Sequence, residues 1–181
     1  MPWFAPLNPP LADWRGRTAW IVGASSGIGL AVAAALAARG ARVAVSARHR
    51  EALDALAARH RVVEGELPRI LVAPLDVTDA DAVQAVHADL RTAFAGTPDF
   101  VLLCAGTYAP LRADAFDLGT MQRHQQVNYV GALNVLAAVL PEQLARGSGH
   151  VSLVASVAGF RGLPKSLAYG PTKAALTNLA E

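Results

Sequence analysis

Five short apolar runs punctuate the chain, at residues 17–22, 42–47, 70–74, 100–104 and 150–155. Each is continuous rather than alternating between apolar and polar positions. That pattern predicts strands covered on both faces, as in a parallel sheet. Helical patterns fill the intervals. An Ala/Leu/Val stretch follows a glycine turn at Gly23 and runs to Arg39, with Gly40 as its C-cap. Residues 51–59 place Leu53 and Leu56 on one face. Thr78-Asp79-Ala80-Asp81 reads as a capping box opening a helix to about Phe94. One long helical pattern covers 117–145, and another starts near Tyr169 and is still running at Glu181. The repeated strand–helix order predicts an α/β fold with a doubly wound parallel sheet. A single domain spans 17–181, after an irregular tail over 1–16. That tail reads as loose, the alternative being docking through Trp3 and Phe4.

Composition narrows the function classes. With 181 residues the chain can bury one substantial core, and 53% hydrophobic with 17% charged residues is a globular balance. The net charge of +2 comes with no basic run, which argues against nucleic acid. The lone Cys104 excludes an internal disulfide and fits a reducing, cytoplasmic setting. His49, His60, His87, His124 and His150 are scattered without ligand spacing, which argues against a metal site. No apolar run is long enough to span a membrane. The proline-rich start, without a basic region, does not read as a signal peptide.

The first strand runs into Gly23-Ala24-Ser25-Ser26-Gly27-Ile28-Gly29 and then a helix. Unpartnered N–H groups at such a helix start, with its dipole, favour an anion such as a pyrophosphate. The G-x-x-x-G-x-G spacing differs from the G-x-G-x-x-G fingerprint, and a glycine turn alone can be only a turn. Strand two ends at Ser46-Ala47-Arg48-His49-Arg50, with no acid between Val43 and Arg50 to hold a ribose 2′-OH. Arg48 instead suits a 2′-phosphate, so NADP(H) is favoured over NAD(H). Asp76 could accept from an adenine amino group or belong to the turn before Thr78.

Tyr169 and Lys173 stand four residues apart, on one face of a helix. A free phenol ionises near pH 10, so use as a base at neutral pH needs about 4 kcal/mol of phenolate stabilisation. A lysine charge at ~4 Å and an effective dielectric of ~20 supplies about that much. Ser156, after the fifth strand, could polarise a carbonyl. Singly these are a loop serine, a helix-face tyrosine and a surface lysine. Their order after a glycine turn points to hydride-transfer chemistry on a carbonyl.

The chain resembles the short-chain dehydrogenase/reductase family in its compact branch. The resemblance rests on Gly23-x-x-x-Gly27-x-Gly29, Asp76-Val77, Cys104-Ala105-Gly106, Val127-Asn128, Ala155-Ser156 and Tyr169-x-x-x-Lys173, in family order from Arg17 onward. It implies a Rossmann-type domain and an NAD(P)-dependent enzyme acting on a small carbonyl or alcohol. Tyr169 would be the acid/base and Ser156 the carbonyl orienter. Lys173 would hold the nicotinamide ribose and favour the phenolate, and Asn128 would hold a relay water. Ser25, Ser26, Ile28, Ala105 and Gly106, with the three glycines, Arg48 and Asp76, would line the cofactor.

Two departures from the family pattern stand out. Cys104 replaces the usual asparagine, a poor substitute as a hydrogen-bonding group. The sequence also ends eight residues after Lys173, before the family's last strands and covering loop. The expectation is therefore a C-terminally truncated enzyme whose full-length form is a homodimer or homotetramer. The alternatives are an NADP-binding protein without turnover and an inactive fragment. The substrate is not readable, although loops 107–112 and 157–165 mix apolar residues with Arg112, Arg161 and Lys165 and would suit an apolar ketone with an anionic tail.

Overall fold

The computed structural model describes residues 13–60 and 68–181. Most of the expected N-terminal tail, Trp3 and Phe4 included, lies outside the described residues. The chain alternates β1 (Thr18–Val22), α1 (Gly27–Ala38), β2 (Arg42–Ser46), α2 (Arg50–Arg59), β3 (Ile70–Val72), α3 (Ala80–Phe94) and β4 (Phe100–Leu103). There follow α4 (Leu118–Gln125), a π-helical turn (Gln126–Val130), α5 (Gly131–Arg146), β5 (His150–Leu153) and α6 (Tyr169–Leu179).

All strand pairs are parallel, and the sheet order is β3-β2-β1-β4-β5. The chain winds outward from β1 to β3, then crosses back to place β4 on the other side of β1. The crevice between the carboxyl ends of β1 and β4 is thus the topological switch point, where such sheets bind ligands.

Two apolar clusters explain the continuous strand runs. Trp20 and Val22 of β1 face Val83, Leu90 and Phe94 of α3 and Val135 and Val139 of α5. Ala19 and Ile21 face the other way, into Ala33 and Leu36 of α1 and Leu53 and Leu56 of α2. Successive side chains of one strand therefore enter opposite layers, and both faces of β1 are apolar from Ala19 to Val22. Trp20 is fully buried, and its indole N–H is satisfied by Ser46 Oγ at 2.9 Å.

The structure differs from the sequence-based expectation in several places; β3 ends at Val72 rather than residue 74, and Arg39 rather than Gly40 is the C-cap of α1. The helix after β3 is capped by Asp79, whose carboxylate accepts from Ala82 N–H, rather than by Thr78. Thr78 belongs to the preceding turn, where Asp76 Oδ1 accepts from both its N–H and its hydroxyl. The long pattern over 117–145 is not one α-helix, since the π-helical turn interrupts it around Asn128. The last helix ends at Leu179 rather than running to Glu181.

Candidate active site

The glycine turn is fixed by two close approaches. Gly23 sits at φ +96°, and a Cβ there would overlap the backbone of Ala105 beyond β4. A Cβ on Gly29 would strike the carbonyl oxygen of Gly23. Only residues without side chains let the turn, the first helix and the β4 loop converge. The N–H groups of Gly23 and Ala24 both donate to Ser46 C=O, at 2.7 and 3.1 Å, tying the turn to β2. Ser26 occupies the N-cap of α1 in extended conformation, and no side chain caps the helix there. Its first-turn amides can therefore serve an anion.

Beside this turn lies a cleft of about 100 Å³ lined by Gly23, Ser25, Ser46, Arg48, His49, Asp76, Ala105 and Gly106, among others. It gathers residues from the ends of β1, β2, β3 and β4. Ser25, Arg48, Asp76, Ala105 and Gly106 were expected there; His49 was not singled out, and only its place beside Arg48 could have suggested it. Ile28 is 58% exposed on the first turn of α1, outside the cleft lining. The Asp76 carboxyl is held below the ordinary carboxylate range by the Thr78 N–H, with lesser help from the Thr78 hydroxyl and the Arg48 charge, against an opposing burial penalty. Asp76 closes the turn through Oδ1 and also lines the cleft.

The acid–base candidates gather on α6 and around it. Tyr169 opens that helix, and Lys173 lies one turn on, with its Nζ 5.6 Å from the Tyr169 ring centroid. Lys173 is only 4% exposed. Burial pushes its ammonium below the ordinary lysine range, and nearby Cys104 partly opposes this. The charge is anchored by donation to the Val154 C=O at 2.7 Å. Ser156 follows β5 and caps a short 3-10 turn, its Oγ accepting from Ala158 N–H at 3.2 Å. That bond uses an oxygen lone pair and leaves the hydroxyl hydrogen able to donate.

Asn128 sits in the π-helical turn and is 1% exposed. Its Oδ1 accepts from Thr107 N–H at 2.7 Å, and its Nδ2 donates to Thr107 C=O and Thr172 Oγ1 at 3.0 and 3.1 Å. The side chain therefore braces the β4 loop against α6, with both amide hydrogens engaged. Gly106 is flanked by Asn128 Oδ1 and Lys173 Nζ, which would lie 3.4 and 3.9 Å from a Cβ placed there. Tyr108, 53% exposed, meets the Tyr169 ring edge-on at a centroid distance of 5.3 Å. Cys104 is half-buried, and among the described residues no cluster of metal-binding side chains forms.

A larger cavity, of about 610 Å³, opens between the loop after β5 and the first turns of α6. Its wall includes Leu111, Phe160, Leu163 and Ala174, together with Arg112, Arg161 and Lys165. Neither Ser156 nor Tyr169 lines it, but their near neighbours Ala158 and Gly170 do.

Comparison with known proteins adds an independent view. The family model for short chain dehydrogenases matches residues 17–181. An uncharacterized oxidoreductase of Myxococcus xanthus is 37% identical over 177 residues, covering 94% of this chain and 66% of that protein. An uncharacterized oxidoreductase of Listeria monocytogenes is 35% identical, covering 92% and 66%. The crystal structure of L-sorbose reductase from Gluconobacter frateurii, complexed with NADPH and L-sorbose, superposes with a TM-score of 0.83 at 30% identity, covering 93% of this chain and 63% of that one. The chain thus spans 66% of the length of each of these two curated relatives.

Proposed function

This chain belongs to the short chain dehydrogenase family, and from that premise we propose that it is an NADP-dependent oxidoreductase acting on a small carbonyl compound or secondary alcohol. The observation that carries the reading is the convergence of a buried, anchored Lys173 with the Tyr169 ring on one helix, which packs against the short 3-10 turn that Ser156 caps. NAD(H) is the weaker cofactor candidate. The glycine turn and the open N-terminus of α1 suit a pyrophosphate, and Arg48 in the cleft suits a 2′-phosphate.

When bound, the nicotinamide supplies the hydride. The protein's own residues manage the oxygen. Ser156 donates its hydroxyl hydrogen to the substrate oxygen and so steadies the negative charge that grows there. Tyr169 delivers the proton, or removes it in the alcohol-oxidising direction. Lys173 stabilises the phenolate that results and can donate to a ribose hydroxyl with the hydrogens not given to Val154. Asn128 keeps the β4 loop in place, and a relay water between it and Lys173 would lie beside Gly106. The basic, largely apolar cavity next to this centre suits a substrate with an anionic group on an apolar body. A cytoplasmic location, and assembly of the longer protein as a homodimer or homotetramer, belong to the same reading. Among the described residues, no helix is long and apolar enough to cross a membrane.

The direct test assays the purified protein with NADPH and a panel of ketones, beside Tyr169→Phe. Turnover should fall by about 10²–10⁴-fold in the variant. Equal rates would remove Tyr169 from the chemistry, and NADPH binding without turnover across the panel would favour a binding protein instead.

A further inference from the structure

The helical segment that carries Asn128 grips the loop after β4 at two points. Asn128 holds Thr107 by both backbone groups. Four residues earlier, His124 Nε2 accepts from Ala109 N–H at 2.9 Å, while its Nδ1 lies 2.7 Å from the Thr120 C=O. Between the two gripped residues stands Tyr108, whose ring meets Tyr169 edge-on, with an interplanar angle of 84°.

These contacts fix the hydrogen on His124. A backbone N–H only donates and a carbonyl only accepts. Nε2 must therefore be bare, and Nδ1 must carry the hydrogen and donate it to Thr120. At 1% exposure the ring meets almost no water, so neither bond has a solvent substitute. An apolar ring would fill the same space but would leave Ala109 N–H without this acceptor.

We propose that His124 is a positioning residue for the acid–base step: through Ala109 it sets Tyr108, and through Tyr108 the orientation of the Tyr169 ring. The inference rests on the assignment of Tyr169 as acid/base made above. Tyr108 is more than half exposed, so packing alone does not hold its ring. The backbone clamps on either side fix its Cα, and the edge-on contact with Tyr169 holds the ring. Tyr169 in turn lies beside both that ring and the Lys173 ammonium, and a proton donor displaced by about an ångström loses rate steeply.

The test compares Tyr108→Ala, His124→Phe, His124→Gln and the double variant Tyr108→Ala/His124→Phe with the parent. The measurements are kcat and KM with NADPH and the ketone of the panel that turns over fastest, and NADPH binding by fluorescence. Tyr108→Ala and His124→Phe should each lower kcat about tenfold, with NADPH affinity changed by less than about twofold. The double variant should be no slower than about twofold below the slower single one, because both act along one chain of contacts. His124→Gln offers an amide oxygen to Ala109 N–H and should recover most of the rate. Parental kcat in Tyr108→Ala, or a His124→Gln enzyme as slow as His124→Phe, would overturn the proposal alone. If His124→Phe does not fold, Tyr108→Ala and His124→Gln still decide it. A Tyr169→Phe enzyme as fast as the parent would sink the acid–base assignment and this proposal with it.

Discussion

Lys173 Nζ donates to the carbonyl oxygen of Val154 at 2.7 Å, which joins the helix of Tyr169 and Lys173 to the end of β5. The bond holds a buried charge in one place without neutralising it. The same Nζ lies 5.6 Å from the Tyr169 ring centroid, so the ammonium favours negative charge developing on that ring. Lys173→Met should therefore lower kcat about a hundredfold. Because a desolvated charge is lost along with the hydrogen bond, the unfolding free energy should change by no more than about 1–2 kcal/mol. Steady-state kinetics and urea melts read the two effects separately. A variant that unfolds at room temperature, or keeps the parental rate, would contradict this division.

Arg48 lines the cleft at the end of β2, close enough to Asp76 to help hold that carboxyl ionised. Its guanidinium is the group there suited to a 2′-phosphate. Hydrogen bonds to a charged group contribute about 1.5–3 kcal/mol, so Arg48→Ala should weaken NADPH binding about 10–100-fold and leave NADH binding nearly unchanged. Titration of both cofactors against both proteins checks the ratio. An equal loss for NADPH and NADH would mean that Arg48 shapes the cleft rather than reading the phosphate.

The sheet was legible in the sequence because burial on both faces removes the polar alternation from each strand. Ala19 and Ile21 enter one layer and Trp20 and Val22 the other, and all four are apolar. The glycine turn was legible because close backbone approach restricts Gly23 and Gly29. The π-helical turn was not, because one extra residue per turn leaves helical composition and spacing almost unchanged. Nor was the cap of α3, where Thr78 and Asp79 are adjacent residues of equal capping chemistry; Asp76 decides between them by engaging Thr78. The contacts of Tyr108 with Tyr169, and of His124 with Ala109, join residues far apart in sequence through loops that carry no periodicity. Composition is silent on such pairs.

Gly23 offers a test of the cofactor turn that needs no substrate. Its φ of +96° and its contact with the Ala105 backbone leave no room for a methyl group. Left-handed strain costs on the order of 1–3 kcal/mol for a residue with a side chain, before the displacement of Ala105 is counted. Gly23→Ala should lower the urea midpoint and abolish the upward shift of the thermal melt expected of the parent with NADPH. Parental stability together with a parental NADPH shift would show that the turn relaxes without cost.

His87 should make stability fall on mild acidification. It is 4% exposed, pairs through Nε2 with Thr97 Oγ1 at 3.0 Å, and stacks on Trp20. Burial pushes its imidazole below the ordinary range, with Glu142 opposing and Arg91 reinforcing the shift. The folded state therefore takes up a proton at lower pH than the unfolded chain. Its stabilising contribution is full above the unfolded value of ~6.5 and is lost as pH falls through the folded value, at about 1.4 kcal/mol per pH unit between the two. Urea melts from pH 7.5 down to 5 should show this slope, and His87→Gln should flatten it. An unchanged slope in the variant would place the acid sensitivity elsewhere.

The cavity beside α6 bears on substrate choice. Arg161 and Lys165 line it with Leu163 and Phe160, and no aspartate or glutamate does. Arg112 also lines it but is paired with Asp114 at 3.2 Å, so it offers less to a ligand. Among the described residues, neither Arg161 nor Lys165 has an ion-pair partner. If this wall holds the acidic end of the substrate, a ketone carrying a carboxylate should have a lower KM than its methyl ester. The double change Arg161→Ala/Lys165→Ala should then raise KM for the acid about tenfold, the effect of losing one charge-assisted hydrogen bond, and leave the ester unaffected. Rising ionic strength should narrow the difference between acid and ester in the parent, because both cations are exposed to solvent. Equal KM values for acid and ester in the parent protein would remove the cavity from substrate recognition and leave the role proposed for Tyr169 untouched.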